Sequence, residues 1–105
     1  MIIYNVTVNI DADVHDEWLK WMNEEHIPDV MATGLFLQSR ISRMLIEEEG
    51  EGTTYSIQYT LDSMEKMQAY EDLHAPHLRE VFIQKFDGKF GIFRTMMEVV
   101  KIHEA

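Results

Sequence analysis

The chain has 105 residues, 46% of them hydrophobic, which suits one domain over 1–105 that buries roughly two thirds of its unfolded surface. No stretch approaches the ~20 consecutive apolar residues of a membrane span, and the opening run lacks a basic region and meets Asp11 and Asp13 too early for a signal peptide, so a cytoplasmic chain is expected. Nineteen acidic against nine basic residues give a formal charge of −10, a field that argues against nucleic acid and membranes as partners, and zero cysteines exclude disulfides, thiolate nucleophiles and iron–sulfur clusters.

From residue 2 to 10 the chain alternates, with Ile2, Tyr4, Val6, Val8 and Ile10 on one face and Ile3, Asn5, Thr7 and Asn9 on the other, the pattern of a half-apolar strand. Asp13 is placed to N-cap a helix whose Val14, Trp18, Trp21 and Met22 follow helical spacing. Pro28 lacks the N–H a continuous helix requires, so a break is expected just after His26, followed by a short turn from Pro28 to Thr33 that stops at Gly34. A second strand is expected from Leu35 to about Ile46, with Leu35, Leu37, Ile41 and Leu45 on one face and Gln38, Arg40 and Ser42 on the other. The acidic run Glu47-Glu48-Glu49-Gly50-Glu51-Gly52 reads as a solvated hairpin tip. Tyr55, Ile57, Tyr59 and Leu61 then alternate with polar residues as a third strand.

Asp62 and Glu65 have the spacing of a capping box, and Met64, Met67, Tyr70, Leu73, His74, His77, Leu78, Val81 and Phe82 make one broad helical stripe that Pro76 interrupts. Gly88 closes it, and Phe90 to Ile102 reads as a last strand. The chain thus repeats one phrase: Asp13 leads to His26-Ile27-Pro28, and Asp62 to His74-Ala75-Pro76. The order strand, helix, strand, strand, helix, strand predicts an α+β, ferredoxin-like fold, a four-stranded antiparallel sheet with two kinked helices on one face. The strand parity facing away from the helices is assigned Asn5, Thr7, Asn9, Gln38, Arg40, Ser42, Ser56, Gln58, Thr60, Ile92, Arg94 and Met96. This set contains no lysine, so a second copy of the chain is expected to cover it in a homodimer.

The stretch from Trp18 to Val30, running on through Ala32-Thr33-Gly34-Leu35-Phe36, resembles the first helix and second strand of small dimeric alpha-beta barrel proteins. Tyr70-Glu71-Asp72-Leu73-His74-Ala75-Pro76-His77-Leu78 is similar to the second-helix phrase of antibiotic-biosynthesis-type monooxygenases and related barrels. The match spans nearly the whole chain and fits best a domain-of-unknown-function family in that superfamily. The resemblance implies a homodimer whose sheets face each other and a pocket in each subunit between sheet and helices. It implies no single reaction, because the superfamily holds cofactor-free oxygenases, isomerases, haem enzymes and members without known activity.

His26, at a helix C-terminus beside Glu24, Glu25 and Asp29, is the sharpest candidate for a general acid or base; the competing reading is that its ring bonds the helix's free carbonyls. His77 is the second catalytic candidate. His74 and His77, three apart, could hold a metal only if a third ligand joined them, and Pro76 between them argues against that, so no metal and no cofactor are expected. Trp18, Trp21, Met22, Met67, Tyr70 and His74, with Tyr55 and Tyr59 supplying hydroxyls, are the candidates for walling a small apolar ligand, although at helical spacing such residues also make a core. Three functions follow: binding of a small apolar or aromatic molecule, cofactor-independent catalysis using His26 or His77, and a haem or metal protein.

Overall fold

The computed structural model describes residues 1–45, 50 and 52–105. The first alternating segment becomes β1 (Ile2–Ile10), the centre of the sheet. It pairs antiparallel with β3 (Thr53–Leu61) on one side and β4 (Phe90–Glu98) on the other, and β2 (Gln38–Arg43) extends the sheet beyond β3. The resulting order, β2-β3-β1-β4, with one helical segment after β1 and another after β3, is the expected ferredoxin-like arrangement.

Register decides which residues face the helices, because residues directly opposite across antiparallel strands share a face. Tyr4 lies opposite Tyr59 and Met96, Val6 opposite Ile57 and Arg94, and Val8 opposite Tyr55 and Ile92. Ile92, Arg94 and Met96 therefore lie on the helix-covered face, which corrects their assignment to the open one. Alternation fails as a guide in β4 because both parities carry large apolar groups; pairing of Phe90 with Ile10 fixes the face instead. The open face keeps Asn5, Thr7, Asn9, Gln38, Arg40, Ser42, Ser56, Gln58 and Thr60, and gains Phe93, Thr95 and Met97.

β4 ends at Glu98 rather than Ile102, since Val99 donates to the Met1 carbonyl (2.9 Å) and β1 offers nothing beyond. β2 starts three residues late: Leu37 donates to Thr60 (2.7 Å) near the end of β3, Leu37 and Leu45 are exposed, and Phe36 turns into the core instead. The β2–β3 hairpin forms as expected; the expectation for its tip falls on residues 46–49 and 51, outside the described ones.

The helix caps differ from expectation. Asp13 lies in a short 3-10 turn and its carboxylate takes the Lys89 ammonium at 2.7 Å, so α1 (His15–Trp21) starts without a side-chain cap. The Lys89 contact holds the Asp13 carboxyl below the usual range. Ser63, not Asp62, caps α3 (Met64–Leu73), its hydroxyl accepting from the Lys66 N–H at 3.3 Å, while Asp62 pairs with the Lys66 side chain.

The two prolines act differently. At Pro76 the helix breaks: His74 leaves helical geometry (φ −126°, ψ −41°) and α4 (Ala75–Lys85) restarts with the proline in its first turn. At Pro28 the expected break does not occur. The helix widens into a π turn over Met22–His26, in which Ile27 donates to the Met22 carbonyl five residues back, and then continues as α2 (Ile27–Met31). Widening just before the proline removes the four-residue ladder that a ring lacking N–H would interrupt. The segment stops as predicted, with Gly34 at φ +77° donating to Met31.

The core lies between sheet and helices, centred on Val8, Ile10, Trp18, Ile57, Leu61 and Phe86. Among the described residues, no helix is long and apolar enough to cross a membrane.

Candidate functional site

Beside this core the sheet and helices enclose a partly open cavity of about 230 Å³. Its floor is Tyr4, Val6 and Val8 of β1, Ile57 and Tyr59 of β3, and Phe90, Ile92 and Arg94 of β4. Its walls are Met22 and His26 of the π turn, Tyr70 of α3, and Arg79, Phe82 and Ile83 of α4.

The π turn sets His26 in place. At 3.6 residues per turn, side chains five apart diverge by about 140°, whereas a turn closed five residues back brings them over one another. Trp21 and His26 are five apart, and their rings stack at 4.9 Å and 27°, with Phe82 edge-on to the imidazole at 5.6 Å. Burial in this aromatic setting pulls the imidazole down to about 4, partly offset by Asp29. His26 is thus neutral at pH 7, and among the described residues nothing hydrogen-bonds its ring, so the capping alternative is not what the structure shows. A neutral imidazole keeps one nitrogen as acceptor and one as donor.

About one helical turn along α4 from Phe82, Arg79 brings a polar cluster to the cavity. Its guanidinium donates twice to Glu71 (2.8 and 2.6 Å) and once to the Tyr4 hydroxyl (3.0 Å). Arg94 donates to the same hydroxyl through Nε at 3.1 Å. Burial works against the Arg79 charge, but the bonds to Glu71 and Tyr4 outweigh it and raise its pKa. Tyr70 is pushed up to about 12 by burial and by Tyr4, and burial raises Tyr59 further, so both remain hydrogen-bond donors at neutral pH.

Of the expected site residues, the structure brings Met22, His26, Tyr59 and Tyr70 together on the cavity, with Trp21 backing His26. Met67 lines an adjoining hollow that shares Tyr4 and Arg94 with the cavity. Trp18 is fully buried against Tyr55, whose hydroxyl lies 2.6 Å from His15 Nε2; neither lines the cavity. His74 stacks loosely on Tyr70 at the helix break. His77 is exposed on α4, about 200° around the helix from the inward-facing Arg79. The three histidines do not converge, and among the described residues no group of three or more His, Cys, Asp or Glu could hold a metal ion. Sequence reasoning missed Arg79, whose signal is an arginine three residues before Phe82 on an otherwise apolar stripe.

Sheet order and helix placement define a ferredoxin-like domain, with a cavity between its layers. Residues 1–100 match the family described as "Domain of unknown function (DUF4286)", and the chain belongs to it. Among curated proteins none matches. Similar solved structures include a dimeric ferredoxin-like protein from an uncultured marine organism (15% identity, TM-score 0.69, all of both chains). A Deinococcus radiodurans protein named as an antibiotic biosynthesis monooxygenase is similar at 15% identity and TM-score 0.66, over 100% of this chain and 98% of that one. A variant of MhuD with two manganese protoporphyrin IX bound per active site is similar at 18% identity and TM-score 0.67, over all of both chains. At these identities the likeness is one of fold.

Proposed function

We propose that this protein binds a small, mostly apolar or aromatic molecule in the cavity between sheet and helices. The observation that carries this reading is a cavity whose aliphatic and aromatic walls are interrupted by a few polar groups, the usual composition of a ligand site. Size narrows the ligand. An apolar cavity of ~150 Å³ accepts benzene, so about 230 Å³ takes one ring with a short substituent. It falls below the roughly 300–1,000 Å³ of drug- and cofactor-sized sites, and a porphyrin does not fit it without rearrangement. Titration of the isotopically labelled protein with single-ring compounds tests the reading: shifts confined to cavity residues support it, and a full panel without shifts there rejects it.

The neutral, unpartnered imidazole on the wall favours a second reading, cofactor-independent proton transfer with His26 as the base. His77, away from the cavity, has no part in it. Turnover that survives His26→Ala would remove this reading.

The homodimer belongs to the same proposal. The open sheet face carries neither lysine nor carboxylate among its described strand residues and exposes Phe93 (62%) and Met97 (39%), an apolar strip suited to a second copy. A particle of one chain at micromolar concentration would reject it.

A further inference from the structure

We infer, resting on the cavity reading above, that the ligand is a monoanion: an apolar ring bearing one carboxylate that sits on Arg94 beside the Tyr4 hydroxyl. Charge provides the first argument. Two guanidiniums reach the cavity, but Glu71 already neutralises Arg79 through two hydrogen bonds. Among the described residues no ion pair joins Arg94 to a carboxylate, and its exposed side chain stands at the open edge of the cavity, where an anion can reach it from solvent. In a chain of formal charge −10, an arginine at the cavity edge that forms no ion pair with a described carboxylate is suited to an anion from outside.

Hydrogen-bond capacity provides the second. The Tyr4 oxygen accepts from both arginines at 3.0 and 3.1 Å, which occupies its two lone pairs and leaves its own proton to donate. A free hydroxyl proton next to an arginine without an ion-pair partner fits a carboxylate, whose two oxygens match a guanidinium edge and a neighbouring hydroxyl. A dianion fits worse, because its second charge would meet Glu71 and apolar walls. The spacing agrees: Arg79 and Phe82 are separated by about 4.5 Å of helix rise, so a carboxylate at the arginines places an attached ring among Phe82, Phe90 and Ile92.

Calorimetric titration of the full-length protein with benzoate, benzyl alcohol and phenyl phosphate, for the natural chain and Arg94→Gln, tests this. Benzoate should bind about tenfold tighter than benzyl alcohol, the scale of one charge-assisted hydrogen bond, and tighter than phenyl phosphate. In Arg94→Gln, with circular dichroism confirming the fold, the preference for benzoate over benzyl alcohol should vanish. Equal binding of benzoate and benzyl alcohol to the natural chain overturns the inference but leaves the cavity reading standing. Preference retained in Arg94→Gln overturns the assignment to Arg94, and tighter phenyl phosphate overturns the monoanion. If none of the three binds, the cavity reading fails and takes this inference with it.

Discussion

His26 couples the cavity to the stability of the whole chain. In the unfolded chain its imidazole protonates as pH falls through about 6.5; in the fold it resists protonation until about 4, because charging it means desolvating it between Trp21 and Phe82. Between those values the unfolded state binds the extra proton, so stability falls with pH through this window and levels off below it. At 1.36 kcal/mol per pKa unit, the interval corresponds to about 3 kcal/mol. His26→Phe keeps a flat ring for Trp21 to stack on and removes the titration. Urea unfolding of both proteins at intervals from pH 7.5 to 3.5 measures the effect. Carboxylates titrate over the same range, but their contribution is common to both proteins and cancels in the difference. The advantage of His26→Phe over the natural chain should grow by about 3 kcal/mol as pH drops, most steeply between 6.5 and 4. Parallel stability curves, or an imidazole proton signal that titrates near 6.5 in the folded state, would refute the buried neutral histidine.

Two further outcomes follow from packing. Phe36→Ala empties the space among Tyr4, Tyr59 and Tyr70 and should lower the unfolding free energy by about 3–5 kcal/mol, read from the urea midpoint; a loss under 1 kcal/mol would mean that Phe36 is not seated there. Phe93→Asp puts a charge on the open sheet face and should convert a dimer to a monomer in light scattering while far-ultraviolet circular dichroism is unchanged, whereas an intact dimer would place the contact elsewhere.

The faces of the sheet were legible where one parity was apolar and the other polar, whereas strand ends were not, as the late start of β2 shows. β1 and β3 satisfy that condition: the bounds and face of β1 and the face of β3 match the residues read from the sequence, and β3 begins two residues before Tyr55. β4 does not: Phe93 and Met97 are as apolar as Ile92 and Met96, so its face depends on pairing with β1, which no local pattern carries. Arg94 was read on the wrong face for that reason, and the polar end of the cavity was lost with it. The caps failed differently. Asp13 and Asp62 have the chemistry of N-caps, but each has a lysine within reach, and a charge-assisted contact won over the helix terminus. In the candidate site, the histidine two residues before Pro28 was legible as a special position, but its orientation was not. The proline signals a disturbance in the helix without saying whether the ladder breaks, as at Pro76, or widens.

That widening has a genetic counterpart. A π turn is an α-helix holding one residue more than its ladder needs, so deleting a single codon between Met22 and His26 would let the segment anneal into an ordinary helix with its ends still in phase. Such a deletion leaves Trp21 and the imidazole four apart, a spacing at which side chains on an ordinary helix are neighbours, so their stack can outlast the π turn. The extra residue is thus written in the length of the chain, and a family alignment would show the gain or loss of the π turn as a one-residue gap ahead of a retained histidine.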